Sequence, residues 1–444
     1  MHALSIVFLI VAVLLIIIFV LLAQTFLGLI LTEIGLWVSW IPLIMIIMSI
    51  PFLVQYSMEH PRWDFFLLLL STMLNLFTFI WLIRPFLRVY QLNKEFKKQI
   101  SKNLGNDYLE NIDPEIESRY SRTVRFNLLD YFKGIRKKQL EKSVKTINDI
   151  PYRTINNKTL KLNIYYPKQK GKYPTILYVH GGGWIMGSKD KLHAVRVLKK
   201  IASLGYVIFS INYRLAIAPT FTTLTKIPHN NPTIREMVSD VRTGLIFARK
   251  NTGKYFGDER NFFLFGRSAG AHLALLTAFS CEKKFFEMEG IKCSKEQMAL
   301  TGVMAFYPMT DIKELYEYYE KIGAPVLKQS IYRGTGTLEK NENLYKIFSP
   351  INYVNKKNVD KIPPVFLATG KMDRLVDAYQ SEELYEELQG KGIKSVFLEF
   401  PWANHGFDSI VNGPGGQLVF QYLSQFLVWS MSQKKNTSFK MSSR

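Results

Sequence analysis

The first 83 residues are almost free of charge, and nothing else in the sequence limits its folding as severely. From Ala3 to Leu31 only Ser5, Gln24 and Thr25 interrupt the apolar run. An α-helix rises 1.5 Å per residue, so about 20 residues cross a hydrocarbon core of roughly 30 Å. A second apolar run covers Ile34 to Val54 and a third Phe65 to Ile83, bounded by Glu33, by the polar stretch from Glu59 to Asp64, and by Arg84. The first run lacks the basic n-region and A-x-A site of a cleaved signal peptide, and two further runs follow it. Residues 1–84 are therefore expected to form a transmembrane region of about three helices, 3–31, 34–54 and 65–83. A two-span hairpin with an interfacial first segment is the alternative.

Arg84, Arg88, Lys94, Lys97 and Lys98 crowd the exit of the third run, whereas the 55–64 loop carries only Arg62. The positive-inside rule then places everything after residue 84 on the cytoplasmic face and the N-terminus outside, a multi-pass arrangement. Residues 85–150 read as a basic amphipathic connector. Lys133, Arg136, Lys137, Lys138 and Lys142 within it fit a solvated helix face and contact with anionic headgroups equally well. Lysine and arginine number 57 against 36 acidic residues, a net charge of +21. No helix-turn-helix, zinc-finger or aromatic–basic pattern accompanies that excess. The expected partner is the lipid bilayer, and no nucleic acid is expected.

Residues 151–432 leave room for one large core, with 433–444 a polar tail. Leu160–Tyr166 alternates as a strand should, and Pro167 ends it. Thr175–Val179, Tyr206–Ile211, Phe262–Phe265, Val303–Tyr307, Val365–Thr369 and Val396–Phe400 are short apolar runs of the kind buried on both faces of a sheet. Helical stretches at 191–203, 234–251 and 271–280 lie between them, and one at 416–430 follows the last. Such alternation predicts an α/β fold with a doubly wound, mostly parallel sheet, whose chemistry sits at the carboxyl ends of the strands.

Gly266-Arg267-Ser268-Ala269-Gly270 matches G-x-S-x-G. A chance match arises in roughly one chain in seven of this length, so the context matters: the motif follows a buried strand and opens a helix. There a sharp turn lifts the serine hydroxyl out of the sheet, and the flanking glycines relieve crowding. His180-Gly181-Gly182-Gly183-Trp184 is more specific. Its glycines leave backbone N–H groups unobstructed. Those of Gly182 and Gly183, with that of Ala269, suit the oxyanion of a tetrahedral intermediate, where one donor is worth about 10² to 10³ in rate.

A serine needs a base, and the base an orienting carboxylate. In this fold the chain order is nucleophile, acid, histidine. Two histidines follow Ser268: His272, four residues on in the next helix, and His405, after the last predicted strand. His405 is the expected base and His272 a packing residue. Asp373, after the strand at 365–369, is the expected acid, with Asp377 its main rival and Asp408 too near His405 in sequence. Cys281 and Cys293 have no metal-type spacing and are expected to be buried or idle thiols, with a disulfide between them the alternative.

HGGGW, Asn212-Tyr213-Arg214-Leu215, GRSAG, GKMDRLV at 370–376 and NHGF at 404–407 together resemble the hormone-sensitive-lipase-like esterases and the related BD-FAE-type carboxylesterases, over about residues 150–430. The resemblance implies an α/β-hydrolase fold and the same assignments: oxyanion glycines, Ser268 nucleophile, Asp373 acid, His405 base. It also implies that the NYRL element supports the sheet and active-site floor. Many relatives carry Pro-Glu after NYRL-Ala; here Ala216–Asn231 is rich in threonine and proline, so substrate preference does not carry over.

The expected reaction is hydrolysis of a carboxylic ester through an acyl-enzyme, with neither metal nor cofactor. A membrane location points to a lipid-like ester or an acylated envelope molecule. A membrane-bound serine peptidase or amidase, an acyltransferase and a non-catalytic binding protein on the same fold are the competing expectations. Residues 281–297 and 311–350 exceed bare connections and are expected to be either a lid or ordinary surface insertions.

Overall fold

The computed structural model describes residues 2–21, 31–58, 63–108, 112, 114, 116, 126–134, 137–217, 231–288 and 290–442, with backbone alone at 2, 137–139 and 434–442. Eight strands, β1 (Val144–Ile155), β2 (Lys158–Pro167), β3 (Tyr173–Val179), β4 (Val207–Ile211), β5 (Gly257–Arg267), β6 (Gly302–Phe306), β7 (Val365–Gly370) and β8 (Ser395–Phe400), form one sheet in the order β1-β2-β4-β3-β5-β6-β7-β8. Strand β2 runs antiparallel to both β1 and β4, and the six strands from β4 to β8 are parallel.

The central strands are apolar throughout because both faces of the sheet are covered. On β5, Phe262 and Leu264 face one core with Leu177 of β3, while Phe263 and Phe265 face the other with Ile176 and Tyr178. The principal helices are α1 (His2–Ile16), α2 (Trp40–Met58), α3 (Trp63–Leu104), α4 (Leu192–Ser203), α5 (Ile234–Asn251), α6 (Ala269–Phe279), α7 (Ile312–Lys321), α8 (Pro325–Thr335), α9 (Leu338–Phe348), α10 (Ala378–Gly390) and α11 (Pro414–Ser442). Helices α5 and α6 cover the first face; α4, α11 and the end of α3 cover the second. A capping box of Thr233 and Glu236 starts α5 at the end of its apolar stripe, Ile234, Met237, Val238, Val241 and Leu245.

Among the described residues, three helical segments, Ala3–Leu21, Gly35–Met58 and Trp63–Leu104, are long and apolar enough to cross a membrane. Ile10, Ile47, Met73 and Phe77 point outward and exposed. Between the helices, Ser71 donates to the Phe8 carbonyl at 2.9 Å and Thr72 to Ser49 at 2.9 Å, the polar contacts that hold apolar helices together. The end of the first apolar run, past Leu21, falls outside the described residues.

The third helix does not stop at Arg84. Helix α3 has 42 residues, roughly 60 Å at 1.5 Å per residue, twice what a bilayer needs. Beyond Arg84 it turns amphipathic and buries Val89, Leu92, Phe96, Ile100 and Leu104 in the second core, Phe96 meeting Phe400 at 5.2 Å and Tyr422 at 5.8 Å. Strand β1 likewise begins inside the segment read as a connector, and α11 continues through the expected polar tail. Of the basic stretch, Lys133 and Lys142 are exposed, Arg136 lies outside the described residues, and the side chains of Lys137 and Lys138 do as well.

Candidate active site

Ser268 occupies the turn between β5 and α6 with φ 53° and ψ −126°, a strained conformation for a residue with a side chain. Its N–H donates to the Phe306 carbonyl of β6 at 2.9 Å, and its carbonyl accepts from Ala271 and His272 as α6 starts. The flanking glycines are steric necessities. A Cβ on Gly266 would lie 2.2 Å from the Gly270 carbonyl oxygen, and one on Gly270 would lie 2.2 Å from that of Val179.

His405, just past β8, places Nε2 2.9 Å from the Ser268 hydroxyl, and its Nδ1 is 2.7 Å from Asp373 Oδ2. The other Asp373 oxygen accepts the N–H groups of Leu375 (2.8 Å) and Val376 (2.9 Å), which fix the carboxylate. The two loops are sewn together, with Met372 N–H donating to the Ala403 carbonyl at 2.9 Å. His405 and Asp373 are both buried, at 8% and 5% exposure, so little water competes along this line. A carboxylate on Nδ1 sets the tautomer that leaves Nε2 able to accept the serine proton.

Each sequence rival has other work. Asp377 caps α10 by accepting from Tyr379 N–H at 3.0 Å. Asp408 is held by Arg267 and by Tyr307, whose hydroxyl donates to it at 2.7 Å. His272 accepts from Trp184 Nε1 at 3.2 Å and meets the Phe348 carbonyl with Nε2 at 2.7 Å, a donation that fixes a neutral ring. Burial pushes its pKa down to about 4.

The HGGG loop passes directly over Ser268: a Cβ on Gly181 would lie 2.7 Å from the Arg267 carbonyl oxygen and 3.1 Å from Ser268 Cβ. Gly182 (φ 139°) and Gly183 (φ 59°) adopt backbone conformations open to glycine, and among the described residues their N–H groups donate to no protein acceptor. Ala269 is the first residue of α6, so its N–H has no intrahelical partner either. Tyr213 of the NYRL element supports the loop. Its hydroxyl donates to the His180 carbonyl at 3.0 Å and its ring stacks on the His180 imidazole at 4.4 Å. Arg214 reaches back to α5, bridging Asp240 at 2.9 Å and Glu236 at 3.1 Å.

Residues 311–350 form α7, α8 and α9 on the same edge as Ser268. A Cβ on Gly183 would lie 3.8 Å from Ser330 Cβ of α8, and the Tyr319 hydroxyl of α7 donates to the Leu375 carbonyl beside Asp373 at 2.7 Å. The 281–297 segment packs on α5, where Arg235 Nε donates to the Phe285 carbonyl at 2.6 Å and Arg249 Nε to the Gln297 carbonyl at 2.9 Å. It follows α6, whose 11 residues carry the chain roughly 16 Å away from Ser268. Cys281 and Cys293 there form no disulfide, and burial pushes both thiols up.

Sequence reasoning missed Tyr307, whose ring lies 4.4 Å from that of His405, and the Arg267–Asp408 pair beneath it. Arg267 stands in the variable position of the GRSAG motif, and nothing local marks it.

Residues 162–388 match the model of the BD-FAE family. The esterase LipC of Mycobacterium tuberculosis is 26% identical over 259 residues, 57% of this chain and 58% of its own length. A probable isoprenylcysteine alpha-carbonyl methylesterase of Oryza sativa subsp. japonica is 29% identical over 252 residues, 55% of this chain and 54% of its own length. The chain thus spans little more than half the length of these relatives. Among solved structures, esterase B from Lactobacillus rhamnosis superposes with a TM-score of 0.55 at 20% identity, covering 75% of this chain and 98% of that one. Brefeldin A esterase, a bacterial homologue of human hormone sensitive lipase, gives 0.50 at 16% identity, covering 74% and 84%. At these identities the likeness is one of fold, that of the α/β-hydrolases.

Proposed function

The chain belongs to the BD-FAE family of α/β-hydrolases, and from that premise we propose that it is a membrane-anchored hydrolase of carboxylic esters, with Ser268 as nucleophile. The observation that carries this reading is the hydrogen-bonded line from Ser268 Oγ through His405 to Asp373, at 2.9 and 2.7 Å. Ser268 attacks the ester carbonyl while His405 Nε2 takes its proton. Asp373 holds Nδ1–H and stabilises the imidazolium. The N–H groups of Gly182, Gly183 and Ala269 receive the developing oxyanion, with the positive end of α6 behind them. His405 returns the proton to the departing alkoxide, leaving an acyl-serine. Water activated by the same histidine then releases the acid.

The spans 3–21, 35–58 and 63 to about 84 anchor the protein, and the cluster from Arg84 to Lys98 keeps the hydrolase on the cytoplasmic face. Three crossings put the 31–34 loop and residues after 84 on one side, in keeping with the contacts between that loop and the hydrolase. The substrate is a lipid-like ester or an acylated envelope molecule. Met186, beside the glycine loop, is 54% exposed and apolar, and one relative carries the name of a probable isoprenylcysteine alpha-carbonyl methylesterase.

Hydrolysis of 4-nitrophenyl esters of graded chain length by the full chain in detergent, wild type against Ser268→Ala, tests the proposal. Turnover should fall by about 10⁴ or more in the variant, leaving what the oxyanion donors alone supply. Undiminished turnover would remove Ser268 from the mechanism. Preference for matched anilides over esters would make the protein an amidase.

A further inference from the structure

We infer that Glu33, on the loop between the first two membrane helices, is a positioning residue for the hydrolytic site, one carboxylate that clamps both ends of the loop carrying His405. The inference rests on the roles proposed above for Ser268 and His405 and adds a component from outside the family-matched residues 162–388.

Glu33 is the first charged side chain in the sequence and the one acid before Glu59. It is fully buried, although the loop that bears it joins two apolar helices. Its Oε1 accepts from Trp402 Nε1 at 3.0 Å, and its Oε2 accepts from the Gly415 N–H at 2.9 Å. Trp402 lies three residues before His405. Gly415 stands in the first turn of α11, whose positive end favours an anion. The segment 402–415 is thus pinned at both ends by the same group, and its middle is pinned separately where Asp408 meets Arg267 and Tyr307. The hydrolase is shaped to admit the carboxylate. A Cβ on Gly413 would lie 2.2 Å from Glu33 Oε2, and one on Gly415 would lie 2.7 Å from Oε1.

Burying a carboxylate is costly, and an apolar residue in its place would often stabilise a protein as well or better. What a carboxylate offers here is two acceptors aimed in different directions, which join a membrane loop to the backbone on either side of the catalytic histidine. His405 must stay within hydrogen-bond reach of Ser268 and Asp373 together, and displacement of a catalytic group by about 1 Å can cost on the order of 10²-fold in rate. Seating of the first two membrane helices is thereby coupled to alignment of the triad.

The test uses the full chain in detergent with a small water-soluble ester, 4-nitrophenyl acetate, so that membrane partitioning of substrate plays no part. Glu33→Gln keeps one acceptor and turns an N–H₂ toward a donor. It should lower kcat by about 10- to 100-fold with KM within about twofold, and slow fluorophosphonate labelling of Ser268 in proportion. Glu33→Asp should recover part of kcat. Trp402→Phe removes a single donor and should cost less, and adding it to Glu33→Gln should cost little more than Glu33→Gln alone. An active wild type whose kcat is unchanged in Glu33→Gln overturns the inference while leaving the proposed reaction intact, as does a loss of kcat accounted for by the fraction of Glu33→Gln unfolded at the assay temperature. A wild type that neither hydrolyses the ester nor takes the label sinks both.

Discussion

Arg267 and Asp408 form a buried ion pair that ties the residue before Ser268 to the third residue after His405. The guanidinium Nε lies 2.6 Å from Asp408 Oδ2, with a second contact from the same group, and the two residues are 3% and 0% exposed. The remaining Asp408 oxygen accepts from the Tyr307 hydroxyl at 2.7 Å, and the Tyr307 ring sits 4.4 Å from that of His405. Burial works against the charge on Arg267, but Asp408 more than restores it and holds the pKa above the ordinary arginine value. Arg267 therefore keeps its charge, and the pair carries the wall behind His405.

Removing one partner strands the other as a buried charge. Asp408→Asn and Arg267→Gln should each lower stability by about 3–5 kcal/mol. The double variant should lose clearly less than the sum, because no charge is then left alone. Thermal midpoints of the four proteins in detergent read this out; additive losses would mean that the pair is not coupled.

Asp373 and Asp377 lie four residues apart, yet only Asp373 reaches His405. Asp373→Asn should reduce kcat by about 10⁴, since an amide at that position favours the wrong imidazole tautomer. Asp377→Asn should keep kcat within about twofold, because asparagine caps a helix about as well as aspartate. Equal loss in both variants would remove Asp373 from the triad.

His272 is neutral and buried with its pKa pushed down to about 4, against an ordinary value of 6.5. Above pH 6.5 neither the folded nor the unfolded state protonates it, and it has no effect on the balance. As pH falls from 6.5 to 4 the unfolded chain takes up the proton and the folded chain does not, so stability drops by about 3 kcal/mol over that window. Glutamine at 272 can accept from Trp184 and donate to Phe348 without titrating. His272→Gln should therefore flatten the acid limb of the thermal midpoint against pH; an unchanged limb would assign the acid loss elsewhere.

Glu33 works in the opposite direction. Burial raises its pKa to about 7 from 4.5, opposed by its bonds to Trp402 and to the backbone at Gly415 and Gly416, with Asp408 adding to the rise. Below pH 4.5 it is protonated in both states and has no effect. Between 4.5 and 7 the unfolded chain ionises first, so stability falls as pH rises, and above 7 the full cost of about 3 kcal/mol is present. The thermal midpoint of Glu33→Gln relative to wild type should rise from pH 5 to pH 8. A constant difference would mean that Glu33 ionises as it does in water.

Much of this site could be read along the chain. GRSAG announced Ser268 because the strained turn admits little but glycine at 266 and 270, a demand that local sequence must meet. The apolar runs of β3 to β8 were legible because strands covered on both faces have no polar side to present. Strand β1 was not. It is an edge strand, largely exposed and irregular between Ile147 and Ile150 and again between Pro151 and Arg153, so its pattern never alternates cleanly. The inner half of α3 was missed for a related reason, since its apolar stripe from Val89 to Leu104 is diluted by the basic residues on its outer face.

The sequence by itself determined where the long apolar segments fall, the α/β alternation, the turn at Ser268 and the glycine loop, because each depends on residues adjacent in the chain. His405 followed by elimination. The sequence favoured Asp373 over Asp377 and Asp408, and loop packing is what brings its carboxylate to the histidine, since all three lie near strand ends. Tertiary structure alone brought Glu33 to Trp402 and Arg267 to Asp408, across 369 and 141 residues of chain. Pairings over such separations leave no local pattern, because the partner that satisfies each buried charge is chosen by the fold and not by its neighbours in sequence.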